Sequence, residues 1–247
     1  MIRVENLVKE FGARRAVDGV NFSVQPGTVL GFLGPNGAGK TTTIRMIAGF
    51  LKPTSGHITV NNVNMLHQPI EAQRNIGYMP ERTPLYDEMS VEAFLRFAAE
   101  LRGYQGSERD GRVDHVLKTC FLDPVRHQVI ETLSKGYRQR TCLAQSIIHD
   151  PSVLLLDEPT EGLDPNQKKV VRDMIIEMGK TKVIMISTHV LEEVEAICSR
   201  VIIISRGRVV ADNPPAELTR DGSKLEDVFR RITTTEDTGV AAAGGVR

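Results

Sequence analysis

The chain has 247 residues and a mass of 27.3 kDa, and its 31 Lys and Arg residues balance 31 Asp and Glu residues, so the formal net charge is zero. A hydrophobic content of 40% and a charged content of 25% are typical of globular proteins and argue against disorder over most of the chain. No apolar run approaches the roughly 18 residues of a membrane span, a neutral chain without Trp gives no support for a nucleic-acid partner, and three scattered cysteines argue against a disulfide framework.

The N-terminal quarter predicts two kinds of β structure. Residues 17–24 and 57–60 alternate between apolar and polar side chains and are broken by Gly, which favours an antiparallel β lobe. Residues 28–33 form a nearly continuous apolar run of strand length. A Gly-rich turn separates this run from a helix predicted over residues 42–49.

The middle of the chain, from about residue 84 to residue 150, predicts a helical subdomain. Ser90 is the expected N-cap of a first helix, because its hydroxyl can accept a hydrogen bond from the first turn. Apolar spacing around residues 113–117 indicates a second helix. A third is predicted over residues 137–149, ahead of Pro151, which cannot continue a helix.

Three later apolar runs, over residues 153–156, 183–186 and 201–204, read as strands covered on both faces. Strands that alternate with helices predict an α/β fold with a mostly parallel sheet, to which the antiparallel β lobe and the inserted α-helical subdomain are added. We expect one domain over residues 1–232. The tail over residues 233–247 lacks periodic apolar residues, which predicts disorder.

The strongest local signal is a G-x-x-x-x-G-K-T motif that follows the 28–33 strand and opens the next helix, the context in which this motif binds phosphate. Its glycines let successive N–H groups surround a phosphate, and the helix N-terminus adds partial positive charge. A solvated Lys on a Gly-rich turn is the plainer alternative. The motif predicts a RecA-like P-loop NTPase core, and its residues with the next threonine are Gly34, Pro35, Asn36, Gly37, Ala38, Gly39, Lys40, Thr41 and Thr42.

Two carboxylates at the end of a later strand fit the same chemistry. A Mg²⁺–nucleotide site needs a carboxylate where a neighbouring strand ends, and Asp157 closes the 153–156 run. Glu158 follows it directly and is placed to polarise an attacking water as a general base. The alternative is a carboxylate pair that only caps the following turn.

Other P-loop classes lack their identifying elements here. Small GTPases need an N-K-x-D element and a D-x-x-G switch, and neither occurs in the sequence. A nucleoside kinase needs a lid and an acceptor site, for which we find no candidate.

The remaining motifs carry a family resemblance. Leu133-Ser134-Lys135-Gly136-Tyr137 precedes the Asp157 strand, Glu161-Gly162-Leu163-Asp164 follows it, and His189 ends Ser187-Thr188-His189. Upstream lie Phe11, in Lys9-Glu10-Phe11-Gly12, and Glu81, after Met79-Pro80. In this order the motifs, from residue 1 to about residue 231, resemble the ATP-binding cassette (ABC) ATPases. The ending Leu225-Glu226-Asp227-Val228-Phe229 resembles cassettes of type-2 ABC exporters and gliding-type systems.

The resemblance implies an ATPase that uses ATP and Mg²⁺. The family stacks an aromatic side chain on adenine, holds Mg²⁺ next to the phosphates, activates water with a carboxylate and places a histidine at the γ-phosphate. The matching residues are Phe11 for adenine, Thr41, Asp157 and Glu81 for Mg²⁺, Glu158 as the catalytic base, and His189 with Lys40 at the γ-phosphate.

The resemblance also implies an assembly. Ser134 and Gly136 match the family signature, which closes over ATP held by another subunit, so hydrolysis needs a head-to-tail dimer of identical or paralogous cassettes. Asp164 matches the loop through which the two cassettes of such a dimer contact each other. Without a span of its own, the chain is expected to power a separate membrane permease from the cytoplasmic face of the membrane, and the resemblance favours an exporter over an importer. The charged first ten residues, which do not fit a signal peptide, agree with that location.

Two departures from the family pattern leave alternatives open. The usual signature is L-S-G-G-Q, whereas positions 135 and 137 here are Lys and Tyr. Most members carry Gln where this chain has Glu81, and a carboxylate repels phosphate. A degenerate or regulatory cassette is therefore one alternative, and an ABC-type protein that acts outside transport is another.

Overall fold

The computed structural model describes residues 1–234 of the chain. Two sheets form its centre, and none of the helices among these residues is long and apolar enough to cross a membrane. The first sheet is antiparallel and has the order β2-β1-β4-β5. Its strands are β1 (Ile2–Phe11), β2 (Arg14–Val24), β4 (Ser55–Val60) and β5 (Val63–Asn64).

The second sheet has six strands in the order β10-β9-β3-β8-β7-β6. All neighbours in it are parallel except the edge pair of β10 and β9. Its strands are β3 (Val29–Leu33), β6 (Ile76–Met79), β7 (Val153–Asp157), β8 (Val183–Thr188), β9 (Arg200–Ser205) and β10 (Arg208–Asn213). Strands β3, β7 and β8 are buried along their whole length, as their continuous apolar runs predict.

Helices cover the parallel sheet and fill the interval between β6 and β7. The helices are α1 (Lys40–Ile47), α2 (Pro69–Arg74), α3 (Val91–Leu101), α4 (Gly106–Thr119), α5 (Lys135–Ile147), α6 (Pro165–Gly179), α7 (Leu191–Ile197), α8 (Pro215–Leu218) and α9 (Leu225–Thr234). Short 3₁₀ turns, Asp123–Val125 and Ile130–Thr132, connect α4 to α5.

The apolar core has two main parts, one on each side of the parallel sheet. One part joins the sheet to the antiparallel β lobe and α1, and in it the rings of Phe22 and Phe32 lie 5.8 Å apart. The other part joins the opposite face of the sheet to α3, α4, α5 and α6. The predicted α/β class, with a mostly parallel sheet and an antiparallel lobe, is confirmed.

Several predicted boundaries are wrong by a few residues. Helix α1 begins at Lys40 rather than residue 42, because the left-handed backbone of Gly39 (φ 106°) ends the preceding loop. Helix α5 begins at Lys135 rather than residue 137, because Ser134 Oγ caps it by accepting from the N–H of Tyr137 at 3.4 Å.

Ser90 caps α3 as predicted and accepts from the N–H of Ala93 at 3.2 Å. The predicted tail begins too early, since Thr233 and Thr234 complete α9, where Phe229 and Ile232 pack on buried residues. The rest of the predicted disordered tail, residues 235–247, lies outside the described residues.

Candidate active site

The candidate site lies where three parallel strands end side by side. Pairing of β7 with β8 places Asp157 opposite Ser187, and pairing of β3 with β8 places Leu33 opposite Thr188. The residues that follow these strands therefore meet at one edge of the sheet, where α/β folds bind ligands. A cavity of about 500 Å³ opens there, and the predicted residues that line it are Phe11, Asn36, Gly37, Gly39, Lys40, Thr41, Thr42, Glu81, Glu158 and His189.

The loop between β3 and α1 wraps closely around its own backbone. A Cβ at Gly34 would collide with the carbonyl oxygen of Ile204, so only glycine allows this approach. Lys40 is 7% exposed, and its Nζ donates to the carbonyls of Gly34 (2.7 Å) and Pro35 (3.1 Å). Ala38 is buried behind the loop, and its carbonyl accepts from Gly207 N–H at 2.9 Å. The loop thus holds the Lys40 ammonium group against two of its own backbone carbonyls.

The pKa of the Lys40 ammonium is lowered by burial, while the carboxylates of Glu158, Asp157 and Glu81 oppose this shift. An anion in the cavity would act in the same sense as those carboxylates and favour the charged lysine. The site is therefore electrostatically suited to a phosphate ligand.

Asp157 and Thr41 form the candidate metal site. Asp157 is 1% exposed, and its Oδ1 lies 3.5 Å from Thr41 Oγ1, whereas its Oδ2 is buried without a hydrogen bond. Burial raises the pKa of Asp157, and the nearby hydroxyls of Ser187 and Thr41 oppose this. A buried carboxylate oxygen without a donor, next to a hydroxyl, fits a hard cation such as Mg²⁺.

No cluster of three His, Cys, Asp or Glu side chains suited to a metal occurs among residues 1–234. Mg²⁺ is usually held by one or two protein ligands together with phosphates and water, and Asp157 and Thr41 supply two oxygen ligands side by side. The residues present therefore fit the ion.

Glu158 and His189 form a polar pair at the mouth of the cavity. Glu158 Oε1 lies 2.7 Å from His189 Nδ1, and Glu158 Oε2 accepts from Thr188 Oγ1 at 3.1 Å. The backbone of Glu158 is left-handed (φ 51°), which is uncommon for a non-Gly residue and occurs at functional sites. Both carboxylate oxygens are thus fixed by residues at the end of β8.

Phe11, the last residue of β1, also lines the cavity. Its ring is half exposed, and Lys9 Nζ lies 5.0 Å from the ring centroid. Three lining residues, Arg14, Ala16 and Glu161, were not predicted. Glu161 lies three residues after Glu158 and opens the 161–164 motif, which is a usable signal. Arg14, by contrast, reaches the cavity only through the pairing of β1 with β2.

Comparison with known proteins decides the family. Residues 17–161 match the family model described as "ABC transporter". The chain belongs to the ABC transporter family. It is 36% identical over 236 residues to an uncharacterized ABC transporter ATP-binding protein of Methanocaldococcus jannaschii, an alignment that covers 95% of this cassette and 82% of that protein.

Two further comparisons give a similar sequence and a similar solved structure. It is 35% identical over 229 residues to the probable multidrug ABC transporter ATP-binding protein YbhF of Escherichia coli, which covers 92% of this cassette but 39% of that protein. The solved structure of cbiO1 from Clostridium perfringens, described as part of the ABC transporter complex cbiONQ, superposes with a TM-score of 0.82 at 28% identity and covers 96% and 98% of the two chains. The predicted family and the ABC ATPase fold are confirmed.

Glu81 lies where the main cavity of the cassette adjoins two smaller ones. It lines the main cavity, an adjoining one with Thr41 and Asp157, and a third one of about 380 Å³ that also includes Lys135. Its charge favours the protonated form of Asp157. The two departures from the family pattern, Glu81 and Lys135, therefore face one another across a shared space.

The signature residues of the cassette lie apart from its own nucleotide cavity. Ser134 and Gly136 do not line it. Ser134 caps α5, and a Cβ at Gly136 would collide with Gln167 at the start of α6. Asp164 caps α6 by accepting from the N–H groups of Asn166 and Gln167. Ser134 is exposed and Gly136 is buried, and neither lies in the cavity that Lys40 and Glu158 line.

Proposed function

We propose that this cassette is the ATP-hydrolysing subunit of an ABC transporter, and that it powers a separate membrane permease through ATP-driven head-to-tail dimerisation. The observation that supports this most directly is the hydrogen-bonded Glu158–His189 pair. It lies at the mouth of the cavity into which the Lys40 loop opens. The site thus combines a phosphate cradle with a fixed carboxylate base.

The binding of ATP divides among residues along the cavity. Phe11 stacks on the adenine base, the N–H groups of the 34–42 loop surround the phosphates, and Lys40 pairs with the β- and γ-phosphates. Thr41 and Asp157 hold Mg²⁺, and Glu81 contributes through water. When bound, the ion neutralises charge on the phosphates.

Hydrolysis depends on positioning more than on covalent chemistry. Glu158 accepts a hydrogen bond from the attacking water and receives its proton. His189 holds the Glu158 carboxylate in place and turns toward the γ-phosphate. Thr188 keeps Oε2 of Glu158 occupied, and Oε1 becomes available to the water once His189 turns away from it.

The separation of Ser134 and Gly136 from the cavity supports a composite site. In a head-to-tail dimer the N-terminus of α5 from one chain points its N–H groups and the Ser134 hydroxyl at ATP on the other. The second chain is another copy or a paralogous cassette. ATP closes such a dimer, and hydrolysis with phosphate release reopens it.

The surface that follows Glu81 is the proposed contact with the permease. Residues 82–87 and α3 form it, and Tyr86 is 54% exposed while its ring packs against Phe94 and Phe97. A cytoplasmic helix of the permease would dock there, which places the cassette at the cytoplasmic face of the membrane. The similarity to YbhF, a probable multidrug ABC transporter ATP-binding protein, and the 225–229 ending support an exporter.

Two experiments test the proposal. Purified cassette should hydrolyse ATP only with Mg²⁺, and a complete lack of Mg²⁺-dependent turnover would favour the degenerate or regulatory alternative. Affinity-tagged cassette, captured from detergent-solubilised membranes of its own cells, should bring down an integral-membrane protein. Recovery of ribosomal or DNA-bound partners alone would support the non-transport alternative.

A further inference from the structure

The hairpin between β1 and β2 places a second side chain beside Phe11. Only Gly12 and Ala13 connect the two strands, and Gly12 has the left-handed backbone that such a turn requires (φ 59°). The pairing sets Phe11 directly opposite Arg14. Cross-strand partners project from the same face of a sheet, so the two side chains lie side by side at the cavity.

Arg14 extends from the hairpin to the phosphate loop. It lines the cavity, and its Nη2 lies 3.5 Å from the position that a Cβ would occupy on Gly37. Gly37 has a left-handed backbone (φ 79°) in the middle of the loop. The guanidinium group therefore lies between the aromatic ring and the backbone amides of the loop.

The charges around the cavity distinguish Arg14 from its neighbour. Arg15 pairs with Glu10 at 2.7 Å and with Asp18 at 2.8 Å, whereas Arg14 makes no ion pair with any residue that the structure describes. Three carboxylates, those of Glu81, Glu158 and Glu161, line the same cavity. Within this lining, Arg14 is the direct strand partner of Phe11, whereas Lys40 donates to backbone carbonyls of the phosphate loop.

We infer that Arg14 binds the nucleotide at the phosphate nearest the base, next to the loop amides at Gly37. This inference rests on the proposed function and adds a binding residue to it. A guanidinium group presents several N–H donors in a planar fork that matches phosphate oxygens. With Phe11 on the base and Lys40 on the terminal phosphates, Arg14 completes a row of contacts along the ligand.

The test measures equilibrium binding of ADP, ATP and GTP by calorimetry in the full chain and in three variants. Arg14→Gln removes the charge, Arg14→Lys keeps the charge but loses the fork, and Arg15→Gln is the matched control from the same hairpin. We expect Arg14→Gln to weaken ADP and ATP binding by about tenfold, as for one lost charge-assisted hydrogen bond. Arg14→Lys should recover part of that loss, and Arg15→Gln should bind like the unaltered chain.

The nucleotide series identifies which part of the ligand Arg14 contacts. Equal fold losses for ADP, ATP and GTP support a contact to a phosphate that all three share, and an equal loss for AMP, measured in the same way, assigns the contact to the phosphate nearest the base. A loss confined to ATP would place Arg14 at the terminal phosphate, a loss that spares GTP would place it at the base, and either result overturns the inference. Thermal unfolding of each variant checks that the exposed substitutions leave the fold intact.

Failure of the inference and failure of the proposed function look different. Tight binding to the unaltered chain with no change in Arg14→Gln overturns the inference alone. Absence of nucleotide binding to the unaltered chain overturns the proposed function and the inference with it.

Discussion

Glu158 and His189 contact each other from the ends of two adjacent parallel strands, with Glu158 Oε1 2.7 Å from His189 Nδ1. The backbone also joins the two strands at this point, because Glu158 N–H donates to the carbonyl of Ser187 at 2.9 Å. Thr188 fixes the second carboxylate oxygen. A residue held at three points, two of them on its carboxylate, is oriented before any ligand arrives, which lowers the cost of organising it during reaction.

Glu158→Gln should separate binding from turnover. The amide keeps the shape of the carboxylate but cannot take a proton, so ATP turnover should fall by about 10²- to 10⁴-fold while ATP affinity stays within a factor of a few. Phosphate release and calorimetry measure the two quantities. Glu195→Gln, on an exposed position of α7, is the control, and unchanged turnover in Glu158→Gln would assign the base elsewhere.

Lys40→Ala should prevent the ATP-dependent dimer. In the Glu158→Gln background, added ATP is retained, and we expect light scattering to detect a dimer. Addition of Lys40→Ala removes the ammonium group that is buried in the loop, so the same sample should remain monomeric. Lys118→Ala removes an exposed lysine of α4 and should leave the dimer intact. A dimer that persists without Lys40 would contradict the assigned role of the phosphate loop.

Glu81→Gln should change the Mg²⁺ dependence of binding. Loss of the carboxylate removes repulsion toward phosphate, so ATP without Mg²⁺ should bind about fivefold more tightly, the effect of roughly 1 kcal/mol. The Mg²⁺ concentration for half-maximal turnover should rise, because one candidate ligand is gone. Titrations with and without chelator measure both. Glu88→Gln, a few residues along the same surface, serves as the control, and identical Mg²⁺ curves would show that Glu81 does not face the ion.

Gly77→Ala should destabilise the chain where β6 meets α5. A Cβ at Gly77 would collide with the carbonyl oxygen of Ser146, so we expect the free energy of unfolding to fall by about 1–3 kcal/mol. Gly111→Ala is the matched control. It lies within α4 with no neighbouring atom in reach, and alanine there should raise the free energy of unfolding by about 0.5–1 kcal/mol. Urea unfolding followed by circular dichroism measures both changes, and equal stability of the two variants would contradict the close approach.

Glu92→Gln should make the stability of the fold less dependent on pH below pH 5. Hydrogen bonding and charge from Arg126, with Arg96, lower the pKa of Glu92 from 4.5 to about 2 in the folded chain. The carboxylate thus stabilises the fold above pH 4.5, and this stabilisation is lost as the pH falls toward 2. The variant should be less stable at pH 7 and should lose less stability between pH 5 and pH 2.5. Melting curves test this against Glu131→Gln, an exposed control, and parallel curves for Glu92→Gln and the unaltered chain would refute it.

The meeting of the candidate site residues at one edge of the parallel sheet is largely predictable from sequence. The glycine spacing before Lys40 and the apolar runs before Asp157 and His189 are each local patterns. Parallel strands carry their C-terminal ends to one edge, so the meeting of these residues follows from strand type alone. No long-range register had to be known.

Two features could not be predicted, the course of strand β1 and the position of Arg14, because they depend on strand register and on irregular backbone. Strand β1 does not alternate cleanly, because its pairing with β2 shifts between Val4 and Leu7, and Asn6 between them has a left-handed backbone (φ 47°). Its period-2 signal is therefore lost. Arg14 enters the cavity only because a two-residue turn pairs it with Phe11, and a turn one residue longer would have placed it on the other face.

Glu158 and His189 follow their strands without an intervening loop, and this has a consequence for how the chain tolerates insertions and deletions. Glu158 and His189 directly follow β7 and β8, so their spacing is set by the sheet repeat of about 4.8 Å. Insertions in surface connections, such as residues 102–105 between α3 and α4, can reshape the outline of the molecule without altering that spacing. Length changes in the surface connections therefore leave the distance between Glu158 and His189 unchanged.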